Sequence, residues 1–191
     1  MKNILLIEDD PVQVKVIKAL LDDRGFNVVG TCDNGIDAVG LCSKLAPDVV
    51  LMDVSLKGQD GIEAACEISA KSPTPVVLVT GNDDDETIHR AVEAGVVAYL
   101  VKPVKSEELY AAIELAVSKF KEFRRLIDEN NELRDTLAAR KVIERAKGIL
   151  IEKEGITERE AFTRIRKISM DKRKSMKEIA EVIISAMGLS L

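Results

Sequence analysis

The chain has 191 residues, 46% of them hydrophobic and 32% charged, with a net charge of -5; that is enough apolar material for ordinary cores and argues against disorder. No run of about 18 apolar residues is present, which excludes a membrane-spanning helix, and the opening Met1-Lys2-Asn3 leads into an apolar stretch too short for a signal peptide. A cytoplasmic protein with no membrane partner is expected.

Three cysteines, Cys32, Cys42 and Cys66, form no CxxC pair and are odd in number, so they read as small buried side chains rather than a disulfide or zinc framework. His89 is the only histidine, which excludes a multi-histidine metal site and weighs against Ser-His-Asp catalysis; it reads as a surface helix position. Charge is unevenly spread. Residues 1–123 hold 12 Lys+Arg against 21 Asp+Glu, whereas residues 124–191 hold 16 against 12, so two parts with different tasks are expected.

In chain order, short β-branched runs occur at Asn3 to Ile7, Asn27 to Cys32, Asp48 to Met52, Pro75 to Thr80 and Val97 to Val101, each followed by a helical pattern. Five βα units with apolar, non-alternating strands predict a doubly wound five-stranded parallel sheet buried on both faces. In such sheets the functional crevice lies at the carboxyl ends of the strands. From Ser106, read as an N-cap, the pattern is helical to the end, with no proline. Leu109, Ile113, Ala116, Phe120, Phe123 and Ile127, with Asn130 and Leu137 a heptad apart, predict a coiled-coil seam. Its first part should pack on its own domain, and Phe120 to Leu137 should pair two copies. Gly155 then ends a helix, Thr157 with Glu160 and Ser175 with Glu178 form capping boxes, and a long coiled-coil helix followed by a small all-α three-helix domain is expected.

The strand ends carry the chemistry: Glu8-Asp9-Asp10 after the first, Asp53 after the third, Thr80-Gly81 after the fourth, and Tyr99-Leu100-Val101-Lys102-Pro103 across the fifth. Carboxylates from two strands repel unless a cation lies between them, and Glu8, Asp9 and Asp53 make an oxygen-rich set suited to Mg²⁺ and a phosphoryl group. Ionised Asp53 would act as nucleophile in line, Lys102 would supply a second cation, and the Thr80 hydroxyl would sense the new acceptor, with Tyr99 filling space behind it. These residues, with Leu-Met-Asp-Val-Ser-Leu around Asp53 and the Lys102-Pro103 pair, resemble the receiver domain of response regulators over residues 1–120. The resemblance implies that a sensor histidine kinase phosphorylates Asp53, that the Ser55 backbone carbonyl joins the Mg²⁺ ligands, and that Gly61 is structural. Gly81 and the following Asn82-Asp83-Asp84-Asp85 depart from the family's usual small residue and add charge.

Residues 120–139 read as a linker coiled coil, overlapping a helical module at 125–188. Ala146, Ile149, Leu150, Ala161, Ile165, Ile168, Ile179, Ala180 and Ile183, joined by Phe162 and Met170, are expected to close its core. Arg140, Lys141, Arg145, Lys147, Arg166, Lys167, Lys172, Arg173 and Lys174 would then form a basic surface. Arg-Ala-Lys-Gly-Ile-Leu, Glu-Ala-Phe, Ile-Arg-Lys-Ile-Ser-Met and Ile-Ala-Glu-Val-Ile-Ile resemble the ANTAR output domain. That resemblance implies transcription antitermination by binding tandem RNA hairpins as a homodimer. With few aromatics available, recognition should lean on basic and shape contacts. Two alternatives stay open: a DNA-binding helix-turn-helix around Gly155, disfavoured by Glu158 and Glu160 in the second helix, and an output that binds only protein. No enzyme is expected beyond phosphoryl uptake and slow loss at Asp53.

Overall fold

The computed structural model describes residues 1–81 and 85–186. The acidic stretch at Asn82, Asp83 and Asp84 and the last two residues of the 125–188 module lie outside the described residues. The elements are β1 (Asn3–Ile7), α1 (Pro11–Asp23), β2 (Asn27–Cys32), α2 (Gly35–Leu45), β3 (Val49–Asp53), α3 (Gly61–Lys71), β4 (Val76–Thr80), α4 (Asp85–Glu93), β5 (Ala98–Val101), α5 (Ser106–Glu154), α6 (Glu158–Lys172) and α7 (Met176–Ala186). They fold into two units, Met1–Arg124 and Arg125–Leu191, with the boundary inside α5.

In the first unit the five strands pair in parallel in the order β2-β1-β3-β4-β5. Successive side chains of a strand point to opposite faces, and each face has its own core. Ile4, Leu6, Val49, Leu51, Val77 and Val79 pack with Ile17 and Leu21 of α1 and Leu109, Ile113 and Ala116 of α5. Leu5, Ile7, Val50, Met52, Val76 and Leu78 pack with Ala38 and Cys42 of α2, Ala65 and Ile68 of α3, and Ala91 of α4. The chain reverses its direction of winding between β1 and β3, so their carboxyl ends open a crevice. Each edge strand has only one neighbour, which leaves Tyr99 45% exposed. Cys42 is buried and His89 exposed, as expected; Cys66 is exposed and Cys32 half-buried, so the reading of all three cysteines as buried holds only for Cys42. Cys66 lies on the outward side of α3, between the buried Ala65 and Ile68 in sequence but turned away from them.

In the second unit Ala146, Ile149, Leu150, Ala161, Ile165, Ile179, Ala180 and Ile184 form a buried core, with Ile168 and Ile183 partly buried against it. Phe162 and Met170 do not join it: they are 42% and 69% exposed. The core face of α6 runs through Ala161, Ile165 and Ile168, and at 100° per residue Phe162 and Met170 fall off that stripe. Among the described residues no helix is long and apolar enough to cross a membrane.

Both short helices start on the expected capping boxes. The Thr157 amide and hydroxyl donate to Glu160 Oε2 (2.8 and 2.7 Å), and the Glu160 amide donates to Thr157 Oγ1 (3.3 Å). Ser175 and Glu178 repeat the arrangement. The backbone N–H of residue 157 or 175, then its hydroxyl, holds each glutamate below its ordinary value of 4.5. A lowered folded pKa means that the caps contribute stability above about pH 4.5 and lose it as pH falls through the lower folded value. The Thr157 and Ser175 amide resonances are therefore expected to titrate below pH 4.5 in an NMR acid titration, and Glu160→Gln should abolish the Thr157 response.

Candidate functional site

The crevice between β1 and β3 gathers residues from four strand ends. β1 ends at Ile7, and Glu8 follows with its amide donating to the Cys32 carbonyl (2.9 Å), which holds the chain alongside β2 for one more residue. Asp10 is drawn away from the crevice because its Oδ1 accepts from the Val12 amide (2.8 Å) and caps α1, with Pro11 in the first turn. Glu8 and Asp9 are left facing β3. Asp53 is the last residue of β3, and the chain turns immediately after it. The Val54 amide donates to the Val79 carbonyl (3.0 Å), and the Ser55 amide to Asp53 Oδ1 (3.3 Å).

Oxygens of Glu8, Asp9 and Asp53 lie within 4.8 Å of one another. Glu8 and Asp53 are buried, at 3% and 5% exposure, and Asp9 is half-buried. Three carboxylates this close, two of them buried, require cations. One is Lys102, whose Nζ donates to Glu8 Oε2 (2.9 Å) and Asp53 Oδ2 (2.8 Å). Burial works to lower the Lys102 pKa, but the hydrogen bonds to Asp53 and Glu8 and their charges outweigh it and raise the ammonium above its ordinary 10.5. Lys102 therefore stays charged throughout the physiological range. The second is Lys57, whose Nζ lies 3.3 Å from Asp9 Oδ2.

The oxygen-only donor set fits a hard divalent ion such as Mg²⁺, which takes one or two carboxylates and keeps several waters. Thr80 ends β4 and is buried at 4% exposure; its carbonyl accepts from the Lys102 amide (2.8 Å), so these two residues are held to each other through the backbone. The Lys102-Pro103 peptide is cis. Tyr99 stands outside the crevice on the exposed edge of β5.

Gly61 forms the floor of the turn after Asp53. Its amide donates to the Val54 carbonyl (2.9 Å), and a Cβ on it would lie 2.0 Å from the Asp53 carbonyl oxygen. Asp60, just before it, caps α3 by accepting from the Ile62 amide (2.7 Å) and pairs with Arg90 of α4. Sequence reasoning passed over Lys57 and Arg90. Neither carries a local motif, because each finds its partner far along the chain.

In the second unit, Arg140, Lys141, Arg145, Arg166, Lys167, Lys172, Arg173 and Lys174 are exposed. Lys147 is not part of that surface. It is 6% exposed, and its Nζ donates to Glu144 (2.9 Å) and Glu158 (2.7 Å), joining α5 to the first turn of α6. The hydrogen bonds to Glu158, then to Glu144, raise its pKa. A lysine beside the Ala146–Ile149–Leu150 stripe can bury its stem on the core and keep its charge on neighbouring acids. In its place α6 presents Arg159, Phe162, Thr163, Arg166 and Met170, all exposed and on one face, with Phe162 and Thr163 adjacent and the other steps three or four residues. The spacing of the core positions could have signalled Phe162, which lies one residue off their stripe. On α5, Leu126 and Leu133, absent from the expected seam, are 53% and 64% exposed beside Phe123 (59%) and Leu137 (58%).

The chain matches the response regulator receiver domain over residues 4–114 and the ANTAR domain over residues 131–184. It is 41% identical over 187 residues to the transcriptional regulatory protein PdtaR of Mycobacterium tuberculosis, covering 98% of this chain and 91% of that one. A protein-glutamate methylesterase/protein-glutamine glutaminase of Halobacterium salinarum is 38% identical over 130 residues, 62% of this chain and 37% of that protein. Among solved structures, the receiver domain of a sensor histidine kinase from Pseudomonas aeruginosa PAO1 has a magnesium ion coordinated in its active-site cleft. It superposes with a TM-score of 0.57 at 33% identity, covering 61% of this chain and 98% of that one. The signal receiver domain of a modulated diguanylate cyclase from Desulfovibrio desulfuricans G20 gives a TM-score of 0.60 at 34% identity, over 63% and 97% of the two chains. The full-length match to a transcriptional regulator, with an acidic crevice in the first unit and a three-helix core in the second, places the chain in the response regulators that join a receiver domain to an ANTAR output domain.

Proposed function

We propose that the chain is a phosphorylation-activated antiterminator that binds RNA as a homodimer. The observation that carries the proposal is a receiver crevice with its carboxylates and lysine assembled, followed in the same chain by an ANTAR domain. Asp53 attacks the phosphoryl group of a histidine kinase's phosphohistidine. A P–O bond forms as the P–N bond breaks, and the imidazole nitrogen keeps the electron pair. Glu8, Asp9 and Asp53, with the Ser55 carbonyl, would hold Mg²⁺, which offsets charge on the phosphoryl oxygens. Lys102 turns from Asp53 to the same oxygens, Thr80 donates its hydroxyl, and Tyr99 moves inward from its exposed position on β5.

Dimerisation is supported by the stripe on α5. Phe123, Leu126, Asn130, Leu133 and Leu137 follow alternating spacings of three and four, and each is exposed in the single chain. A second copy of the same stripe is the natural cover for it, and Asn130 at an a-type position suits a two-stranded pairing. For the RNA face, Arg140, Lys141, Arg145, Arg166, Lys167, Arg173 and Lys174 supply phosphate contacts, and Phe162 supplies a surface on which an unpaired loop base can stack. Glu158 and Glu160 in the first turn of α6 argue against duplex DNA, since a recognition helix meets phosphates there.

The test is anisotropy binding of phosphorylated protein to a tandem-hairpin RNA, an unpaired mutant RNA and duplex DNA across a salt series, with sedimentation of the same samples. Salt-dependent binding to the hairpins and a rise in mass on phosphorylation are expected. Arg166→Ala and Lys167→Ala should each weaken binding and lower the salt slope by about one. Phe162→Ala should cost roughly 1–3 kcal/mol with the slope unchanged. Hairpin binding that is absent or indifferent to salt would sink the RNA reading, and an unchanged mass at all concentrations would sink the dimer.

A further inference from the structure

Lys102 reaches two of the three crevice carboxylates, Glu8 and Asp53. Asp9, the most exposed of the three, pairs with Lys57 at 3.3 Å. Lys57 belongs to the turn between Asp53 and α3, and its backbone is tied to a neighbouring turn. It makes an isolated parallel bridge with Asn34 of the neighbouring β2–α2 turn, and Gly58 after it takes φ +84°, the left-handed region open to glycine. The anchored backbone fixes where the side chain starts, while the side chain itself is 77% exposed. An ammonium on a solvated tether can thus rest on Asp9 or leave it at little cost.

Asp9 is also the carboxylate that a divalent ion needs for the third oxygen of its donor set. An ammonium and a metal ion cannot occupy the same side of one carboxylate. We propose that Lys57 is a built-in competitor of Mg²⁺, a tethered cation that occupies Asp9 in the metal-free crevice and sets the Mg²⁺ concentration at which the crevice fills. Lys57 is a positioning residue, acting through Asp9, and the inference rests on reading Glu8, Asp9 and Asp53 as the Mg²⁺ site. Its effect on the crevice is electrostatic. With Lys57 in place, three carboxylates face two ammonium groups; without it they face one, and the crevice attracts a dication more strongly.

The test measures Mg²⁺ affinity of the full, unphosphorylated chain by calorimetry, supported by Mg²⁺-induced shifts of the Asp9 and Ser55 amide resonances. Lys57→Ala and Lys57→Gln are expected to tighten Mg²⁺ binding roughly two- to fivefold at low salt, the scale of an exposed ion pair. The gain should shrink as ionic strength rises, and Lys57→Arg should stay near wild type. Binding that is unchanged or weaker in both Lys57→Ala and Lys57→Gln, with wild type binding normally, overturns this inference alone. A wild-type chain that takes up no Mg²⁺ overturns the metal reading and this inference with it.

Discussion

Replacing Asp53 by asparagine is expected to reduce phosphoryl uptake from a small-molecule donor to background, while the far-ultraviolet circular dichroism spectrum stays that of the wild type. The amide nitrogen and oxygen that replace the carboxylate are poor nucleophiles, and no other crevice carboxylate can substitute. Glu8 is already hydrogen-bonded to the Asp10 amide and Lys102, and Asp9 is engaged by Lys57. The fold should survive because asparagine has the same shape, and Lys102 keeps Glu8 as an anionic partner at 2.9 Å. Two changes in metal-free stability oppose each other. Lys102 loses the attraction of Asp53, while Glu8 and Asp9 are relieved of a like charge within 4.8 Å. The sum should be within about 1 kcal/mol of zero. The response to Mg²⁺ is where the proteins part. An ion that binds only the folded state stabilises it by RT ln(1 + c/Kd), with c the free Mg²⁺ concentration, so Mg²⁺ should raise the wild-type melting temperature and barely move that of Asp53→Asn. Intact-mass spectrometry after exposure to the donor and thermal melts with and without Mg²⁺ measure the two effects. Full phosphoryl incorporation into the variant would remove Asp53 from its assigned role.

Gly61→Ala should be the most destabilising glycine-to-alanine change in the receiver. The new Cβ would lie 2.0 Å from the Asp53 carbonyl oxygen, 3.0 Å from its carbonyl carbon and 3.1 Å from the Val54 Cα. These are all backbone atoms, so no side-chain rotation relieves the overlap, and the turn that carries Asp53 has to move. A loss of roughly 2–4 kcal/mol is expected in urea unfolding, at the upper end of what overpacking costs. Phosphoryl uptake should fall too, because the displaced backbone belongs to Asp53, the proposed phosphoryl acceptor. Gly148→Ala is the internal comparison. It lies within α5 with nothing within 4 Å of the added Cβ, and should stabilise by up to about 1 kcal/mol through helix propensity alone. Equal effects at the two sites would refute the close-packing argument.

The receiver was readable because its determinants are local or periodic. Each strand is built around a short apolar run, broken in β2 by Gly30 and Thr31, and is found within a residue or two of where the sequence puts it; each crevice residue stands just after or within such a strand. The end of a parallel strand has a known place in a doubly wound sheet, so Glu8, Asp9, Asp53 and Lys102 could be brought together from one dimension. The capping boxes at Thr157 and Ser175 were legible for the same reason, since three-residue spacing is all they need. What stayed hidden depends on residues far apart or on a helix's phase against its neighbours. Lys147 is a charge in a basic segment until α6 brings Glu158 beside it. Phe162 counts as core by hydrophobicity and as surface by angle, and the angle decides. Lys57 and Arg90 find Asp9 and Asp60 across 48 and 30 positions of chain. Tyr99 is exposed because β5 is an edge, which follows from strand order rather than from the composition of the strand.

The single chain buries nothing between the two ends of α5. Leu109 to Val117 are held in the receiver core and Ala146 to Leu150 in the output core, while from Lys121 to Ala138 every residue is exposed. Across that stretch the helix relies on its own backbone hydrogen bonds and a few side-chain pairs such as Arg125–Glu129. Most of a helix's stability in a protein comes from packing an amphipathic face, and in the single chain this stretch has no such packing. Under the dimer reading, the part of the molecule that joins sensor to effector gains its order from a second copy of itself. Stiffening of the connector and counting of subunits then become one event, and the local free energy of helix formation sets how strongly the two ends of α5 are coupled.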